Sequence, residues 1–182
     1  MGPPVCLPEE TPPAFVSGHG LDEQPRSPAQ RRWAKRGALE QGIGASRGGR
    51  TTKVHLVTDE QGRPLAYRVT DGRGHDVKTA PVFLETLEPT VLAADKAYDS
   101  NALREALTQR DIVAVIPPTA NRKHDVPTYN RYLYRQRNGV ERCFSWMKHQ
   151  RRFATRYDKL KRNYAVFVVL SCCLIWLRHP PP

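Results

Sequence analysis

Two short apolar segments near the middle of the chain most constrain its fold. The runs TVLAAD (residues 90–95) and DIVAVIPP (residues 111–118) have wholly apolar centres, and two prolines end the second run. Continuous apolar runs of this length are typical of strands that are buried on both faces of a sheet. Apolar residues at helical spacing lie between them. The pattern therefore predicts a strand, a helix and a second strand, the repeating unit of an α/β fold.

The flanking segments extend this prediction. TTKVHLVTD and PLAYRVTDG alternate apolar and polar residues around the turn QGR, which predicts a β-hairpin. Helical spacing follows in VKTAPVFLETLE, in a long segment from about Tyr129 to Gln150, and in the apolar run YAVFVVLSCCLIWL. The expected architecture is a mixed sheet flanked by helices. Asp99 or Ser100 can cap the helix that follows TVLAAD, and Asp99 is interpreted as a cap and not as a ligand.

Membrane and secretory classes are not indicated. The apolar run at residues 164–177 is shorter than the roughly 20 residues that span a bilayer, so it is interpreted as a buried core helix. The beginning of the chain lacks the pattern of a signal peptide. The four cysteines form no disulfide or zinc pattern, which favours a cytoplasmic location near the nucleoid.

The charge of the chain indicates a polyanionic partner. The formal net charge of the chain is +11. Its 182 residues are enough for one domain with its own core. Such a surface attracts nucleic acid before any specific contact forms. An RNA-binding protein of the ribosomal kind would also satisfy this charge.

The long basic helix keeps one glutamate, Glu141, at the border of its apolar seam. At 100° per residue, Tyr134, Arg137, Glu141 and Lys148 project within an arc of roughly 60°. An ordinary ion pair between Arg137 and Glu141 is one explanation. Asp95 favours another, because sites in α/β sheets gather where strands end. Two carboxylates could hold Mg²⁺ or Mn²⁺, which predicts phosphoryl transfer on DNA.

Several ordered motifs together resemble one family. They are LAADKAYDS, which contains Asp95, the helical pattern Tyr134-x2-Arg137-x3-Glu141-x6-Lys148, and the flanking SRGGRTTKVHLVTD, IPPTANRK, LYRQRNGVERCF and RRFATRYDKL. This set is similar to the DDE transposases of bacterial insertion sequences.

The resemblance implies an RNase H-like catalytic domain that cleaves and joins DNA at element ends. It implies that Asp95 and Glu141 are two of three metal-binding carboxylates. It also implies that Tyr134, Arg137 and Lys148 hold the DNA backbone and the substrate end. The implied partners are terminal inverted repeats, target DNA and a second copy of the chain. Three further arginines, Arg151, Arg152 and Arg156, are expected to contact phosphates.

The chain departs from the family's pattern at its beginning. The family's first aspartate sits in an apolar central strand, and no such strand is evident before the hairpin. Asp22 is the candidate third ligand. Residues 1–33 are interpreted as a disordered proline-rich leader, 34–178 as the catalytic domain without its first strand, and 179–182 as a tail. This interpretation implies that the chain is a truncated or degenerate copy of such a transposase. The alternative to an active transposase is a catalytically inactive remnant that still binds DNA.

Overall fold

A mixed β-sheet lies at the centre of the fold. The computed structural model describes residues 13–22, 41–46, 49–72, 76–122 and 126–178. In these ranges the strands are Ala14–Asp22 (β1), Gly44–Ser46 (β2), Gly49–Thr58 (β3), Pro64–Asp71 (β4), Val91–Ala94 (β5) and Val113–Val115 (β6). β3 pairs antiparallel with β1 on one edge and with β2 and β4 on the other. β1, β5 and β6 run parallel.

Helices cover both faces of the sheet. They are Ala80–Phe83 (α1), Asn101–Thr108 (α2), Arg131–Gln136 (α3), Asn138–Lys148 (α4), Arg151–Ala154 (α5) and Lys161–Arg178 (α6). On the face of α1 and α2, Val16 and Leu92 pack with Leu103 and Leu107. On the other face, Phe15 packs in the core that α3 to α6 complete. The predicted fold class, a mixed α/β sheet flanked by helices, is confirmed.

The first central strand, however, is present. β1 lies between β3 and β5 and pairs with β3 from Phe15 to Asp22. The prediction that this strand is missing was therefore wrong, and so was the prediction of a disordered leader where it covers residues 14–22. AFVSGHGLD contains two glycines and few β-branched residues, so its local signal is weak and its neighbours decide its conformation. Residues 1–12, 23–33 and 179–182 lie outside the described residues.

The predicted helices are shorter than expected. The segment from Tyr129 to Gln150 breaks at Arg137 into α3 and α4. Beside the break, the backbone of Gly139 packs against Gly62, where an added Cβ would lie 3.0 Å from the Gly139 carbonyl oxygen. In VKTAPVFLETLE only α1 and one 3₁₀ turn form, and a proline opens α1. The predicted hairpin forms as β3 and β4.

α6 is buried on one side only. Tyr164, Val168 and Ile175 face the core, whereas Leu170 and Leu177 are 51% and 77% exposed. The prediction of a buried core helix therefore holds for one face. No helix in the described part of the chain is long and apolar enough to cross a membrane.

Candidate active site

Asp95 stands where β5 ends. All four residues of β5 are buried, and Asp95 directly follows them. Its Oδ1 accepts a hydrogen bond of 2.9 Å from the backbone N–H of Ala97, which caps the 3₁₀ turn Lys96–Tyr98. The side chain remains 31% exposed. The strand therefore delivers one carboxylate to the carboxyl edge of the sheet with solvent access.

Glu141 comes to the same place from α4. Arg137 Nη2 lies 2.7 Å from Glu141 Oε1 and 3.6 Å from Asp95 Oδ2. Contact with one nitrogen atom places both carboxylates in one cleft. Val140, about 100° around the helix from Glu141, is fully buried and anchors α4 to the sheet. The structure thus brings Asp95, Arg137 and Glu141 together.

Tyr134 lies beside this cluster. Arg137 Cζ lies 6.0 Å from the centre of its ring, and Tyr129 packs against the ring edge with centroids 5.4 Å apart. Burial raises the pKa of the Tyr134 phenol; Arg137 opposes the shift, and the charges of Asp95 and Glu141 add to it. The phenol therefore stays protonated and can donate a hydrogen bond at neutral pH.

The other predicted phosphate contacts lie further along the chain. Lys148 is exposed at the end of α4, about 10 Å along the helix from Glu141 at 1.5 Å per residue. Arg151 and Arg152 are also exposed. They rest on the rings of Tyr157 and Phe167 at 5.8 and 4.8 Å. All three side chains can be reached from solvent.

Arg156 does not belong to this set. Its side chain is 1% exposed, and its donors bind the carbonyl oxygens of Gly42, Asp158 and Lys159 and the hydroxyl of Thr52. A guanidinium enclosed by protein acceptors cannot reach a phosphate. The prediction that Arg156 contacts DNA was therefore wrong; the residue ties the chain after α5 to β3.

Asp22 is far from the carboxylate pair. It is the last residue of β1 and pairs with Thr51, whereas Val16 of the same strand pairs with Ala94. At about 3.3 Å per residue, the backbone of Asp22, five residues past Ser17, lies roughly 17 Å beyond the level of Asp95. This separation is too large for a shared cation. The residue that follows Val16, one step along the ladder toward Asp95, is Ser17.

The donor set fits a hard divalent cation in part. Asp95 and Glu141 supply carboxylate oxygens, which Mg²⁺ and Mn²⁺ prefer, and both side chains are accessible. Among the described residues, no group of three potential ligands is present. Mg²⁺ is commonly held by one or two carboxylates while water and phosphate oxygens complete its shell. The pair therefore fits one such ion if water and phosphate oxygens complete its shell.

A buried network holds the turn that carries Asp95, and the sequence analysis did not identify it. The hydroxyl of the fully buried Tyr98 lies 3.3 Å from His55 Nδ1, and Thr79 Oγ1 lies 3.2 Å from the same nitrogen. Burial lowers the pKa of His55 to about 4, although Asp76 opposes the shift. A neutral His55 thus links β3 to this turn. A histidine in an alternating strand gives no local signal of such a role.

Asp99 has a different role from the predicted one. Ser100 caps α2, since its Oγ accepts from the N–H of Leu103. The Asp99 carboxylate, which has no exposed surface, binds Arg104 at 2.8 Å, Arg122 at 3.2 Å and the N–H of Thr119 at 2.8 Å. Burial alone would raise the pKa of Asp99, but these hydrogen bonds outweigh it and lower the pKa. Asp99 therefore joins α2 to the segment after β6.

The fold and this site define a class of protein, a mixed α/β domain with a carboxylate pair and basic side chains at the edge of its sheet. The family description "Transposase DDE domain" matches residues 19–176. The chain therefore belongs to the DDE-domain transposases.

Two relatives agree with this assignment. A protein of Brucella ovis described as a transposase for insertion sequence element IS6501 is 36% identical over 130 residues, 70% of this chain and 99% of that relative. A protein of Burkholderia cepacia described as a transposase for insertion sequence element IS402 is 32% identical over 136 residues, 68% of this chain and 62% of that relative.

The solved structure shows the fold alone. It is the piggyBac transposase in a synaptic complex with hairpin DNA, 11% identical, with a TM-score of 0.56. The match covers 90% of this chain and 45% of the piggyBac chain. The chain thus spans less than half of that protein.

Proposed function

We propose that this chain cleaves and joins DNA strands at the ends of an insertion sequence, with Asp95 and Glu141 holding Mg²⁺ or Mn²⁺. The observation that carries the proposal is the meeting of both carboxylates on the guanidinium of Arg137. Terminal inverted repeats and target DNA are the proposed partners, a second copy of the chain is a further one, and the nucleoid is the proposed location.

The chain's own residues divide the work. Bound between Asp95 and Glu141, the divalent cation supplies activation of a water or 3′-hydroxyl and stabilisation of the leaving oxygen. Arg137 and Tyr134 would orient the phosphate, because both carry hydrogen-bond donors and border the pair. Lys148 with Arg151 and Arg152 neutralises neighbouring phosphates.

A second candidate function, a DNA-binding chain without cleavage, is favoured by one observation. The β1–β5 ladder, in which Val16 pairs with Ala94, makes Ser17 the next residue toward the level of Asp95; serine offers no carboxylate, and Asp22 is distant. Such a chain would occupy element ends without cutting them.

One nicking assay tests both candidates. Supercoiled plasmid carrying the element ends is incubated with Mg²⁺ or Mn²⁺ and one of three purified proteins: the unmodified chain, the Glu141→Gln variant or the Glu85→Gln variant. Glu85→Gln is the control, because it removes an exposed charge outside the site. We expect Glu141→Gln to lower nicking at least about 100-fold, since lost electrostatic stabilisation typically costs that much. DNA affinity should remain. Nicking that survives in Glu141→Gln would refute the first candidate.

The same assay includes Ser17→Asp and its uncharged counterpart Ser17→Asn. Ser17→Asp should raise nicking and Ser17→Asn should not, because only the first adds a carboxylate at the strand position that continues the ladder toward Asp95. If the unmodified chain does not nick and Ser17→Asp restores the reaction, the second candidate holds. A chain that nicks well and gains nothing from Ser17→Asp contradicts the second candidate.

A further inference from the structure

A groove on the neighbouring side of α3 and α4 is not part of the carboxylate site. Two cavities of about 370 and 500 Å³ adjoin there, because Gln61 and Arg142 line both. The first reaches Trp146 and Arg178, and the second reaches Tyr132. Together they form one groove, which we name the Tyr132–Arg178 groove.

The walls of the Tyr132–Arg178 groove are basic. Arg135 and Arg142 are exposed, and in the part of the chain that the structure describes neither guanidinium forms an ion pair. Arg178 closes one end. Glu60 is the acid among the lining residues and offsets one of these three charges. The net field of the groove therefore attracts an anion.

Aromatic side chains lie beside these arginines. Tyr132 is 71% exposed, so a face of its ring is open to solvent. At the other end, Arg178 Cζ lies 5.1 Å above the ring of Trp146. Alternating guanidinium groups and rings suit a single-stranded nucleic acid, since phosphates pair with arginines while unstacked bases lie on aromatic faces. An acidic peptide would use the charges but not the ring of Tyr132.

The groove lies next to the carboxylate pair around the same two helices. Arg135 and Arg142 directly follow Tyr134 and Glu141, and successive helical residues point about 100° apart. We propose that the Tyr132–Arg178 groove binds a single-stranded DNA segment adjoining the strand that reacts at Glu141. The proposal deepens the proposed function by assigning the chain a second DNA contact, and it requires no cleavage.

Anisotropy of labelled oligo-dT in EDTA tests this proposal apart from catalysis. The groove variant Arg135→Gln/Arg142→Gln is compared with Arg68→Gln/Arg162→Gln, which removes the same charge from exposed positions elsewhere. We expect the groove variant to bind about tenfold more weakly. Its salt slope should fall by about 1.4, because each lost contact to single-stranded DNA removes about 0.7. The control variant should change affinity less than about twofold. Equal losses in the two variants would overturn the proposal.

A second comparison isolates stacking. Tyr132→Ala should weaken binding to oligo-dT but not to an abasic oligomer of equal charge, because only bases stack on the ring. Polyglutamate of equal length should bind much more weakly than oligo-dT. Equal binding of polyglutamate, or an equal effect of Tyr132→Ala on both oligomers, would overturn the assignment to nucleic acid. A chain that fails to nick plasmid but passes these tests would refute only the cleavage proposal.

Discussion

A single guanidinium organises the candidate active site. Arg137 sits between Asp95 and Glu141 and lies against Tyr134. Two neighbouring carboxylates repel each other unless a positive charge lies between them. Arg137 supplies that charge in the absence of a metal ion. If Asp95 and Glu141 held a divalent cation, the cation would supply this charge, and Arg137 could then bind a phosphate.

The buried His55 leads us to expect that the free energy of unfolding depends on pH. Burial lowers its pKa from 6.5 to about 4, so the unfolded chain gains a proton as pH falls through 6.5 and the folded chain resists until about pH 4. Stability is therefore complete above pH 6.5 and declines below it. The decline is on the order of 3 kcal/mol by pH 4.

Urea denaturation between pH 7 and 4.5 measures this effect. Because carboxylates also titrate in this range, the informative quantity is the difference between the unmodified chain and His55→Gln. His149→Gln, at an exposed histidine, should reproduce the pH dependence of the unmodified chain. Parallel curves for the unmodified chain and His55→Gln would contradict the prediction.

At the scale of elements, polar and backbone contacts fix the relative orientation of helices, strands and connecting segments more closely than hydrophobic packing alone would. Arg156 connects the chain after α5 to β3, and the close approach of Gly62 and Gly139 seats the β3–β4 turn against the start of α4. A side chain at Gly62 is disfavoured, because an added Cβ would lie 3.0 Å from a backbone oxygen and the residue has a φ of +85°. The orientation of α4, and hence of Glu141, follows from these contacts.

Asp99→Asn tests one such connection. The change should lower the free energy of unfolding by about 2 to 4 kcal/mol, because it removes a buried charge on which Arg104 and Arg122 converge. Hydrogen exchange should rise in residues 116–122. Glu105→Gln, an equal loss of charge at an exposed position on α2, is the matched control. Equal stability of the two variants would show that the Asp99 cluster does not hold the two segments together.

At the scale of the whole molecule, the two sides of α6 have different environments. One side completes the core, and the other exposes Val166, Val169, Leu170, Leu174 and Leu177. The outer side of α6 therefore contributes little to the stability of this chain. Its apolar character contrasts with the net charge of +11.

Matched glutamine substitutions on α6 test this asymmetry. Leu170→Gln should change the free energy of unfolding by less than about 0.5 kcal/mol, as exposed substitutions usually do. Val168→Gln should cost about 3 kcal/mol, because it buries an amide in place of packed methyl groups. Thermal and urea denaturation of both variants provide the comparison. Similar losses would mean that the outer side of α6 is covered in solution.

Features with a strong local pattern could be predicted from the sequence. TVLAAD is a buried strand that ends in an accessible acid, and the hairpin forms where alternation and turn residues coincide. The helical spacing of Tyr134, Arg137 and Glu141 also survives the break at Arg137. These patterns are reliable because their causes, backbone geometry and side-chain periodicity, act over a few residues.

The remaining features depend on partners distant in sequence, so only the tertiary structure decided them. β1 forms from a glycine-rich segment because β3 and β5 supply its hydrogen bonds. Arg156 has the same local sequence character as Arg151 and Arg152, yet the packing of α5, α6 and β3 encloses it. The sequence by itself predicted Asp95, Arg137 and Glu141 as candidate site residues, and these three meet in the structure. The distances between them, and the absence of Asp22 from it, were set by strand register, which no local pattern encodes.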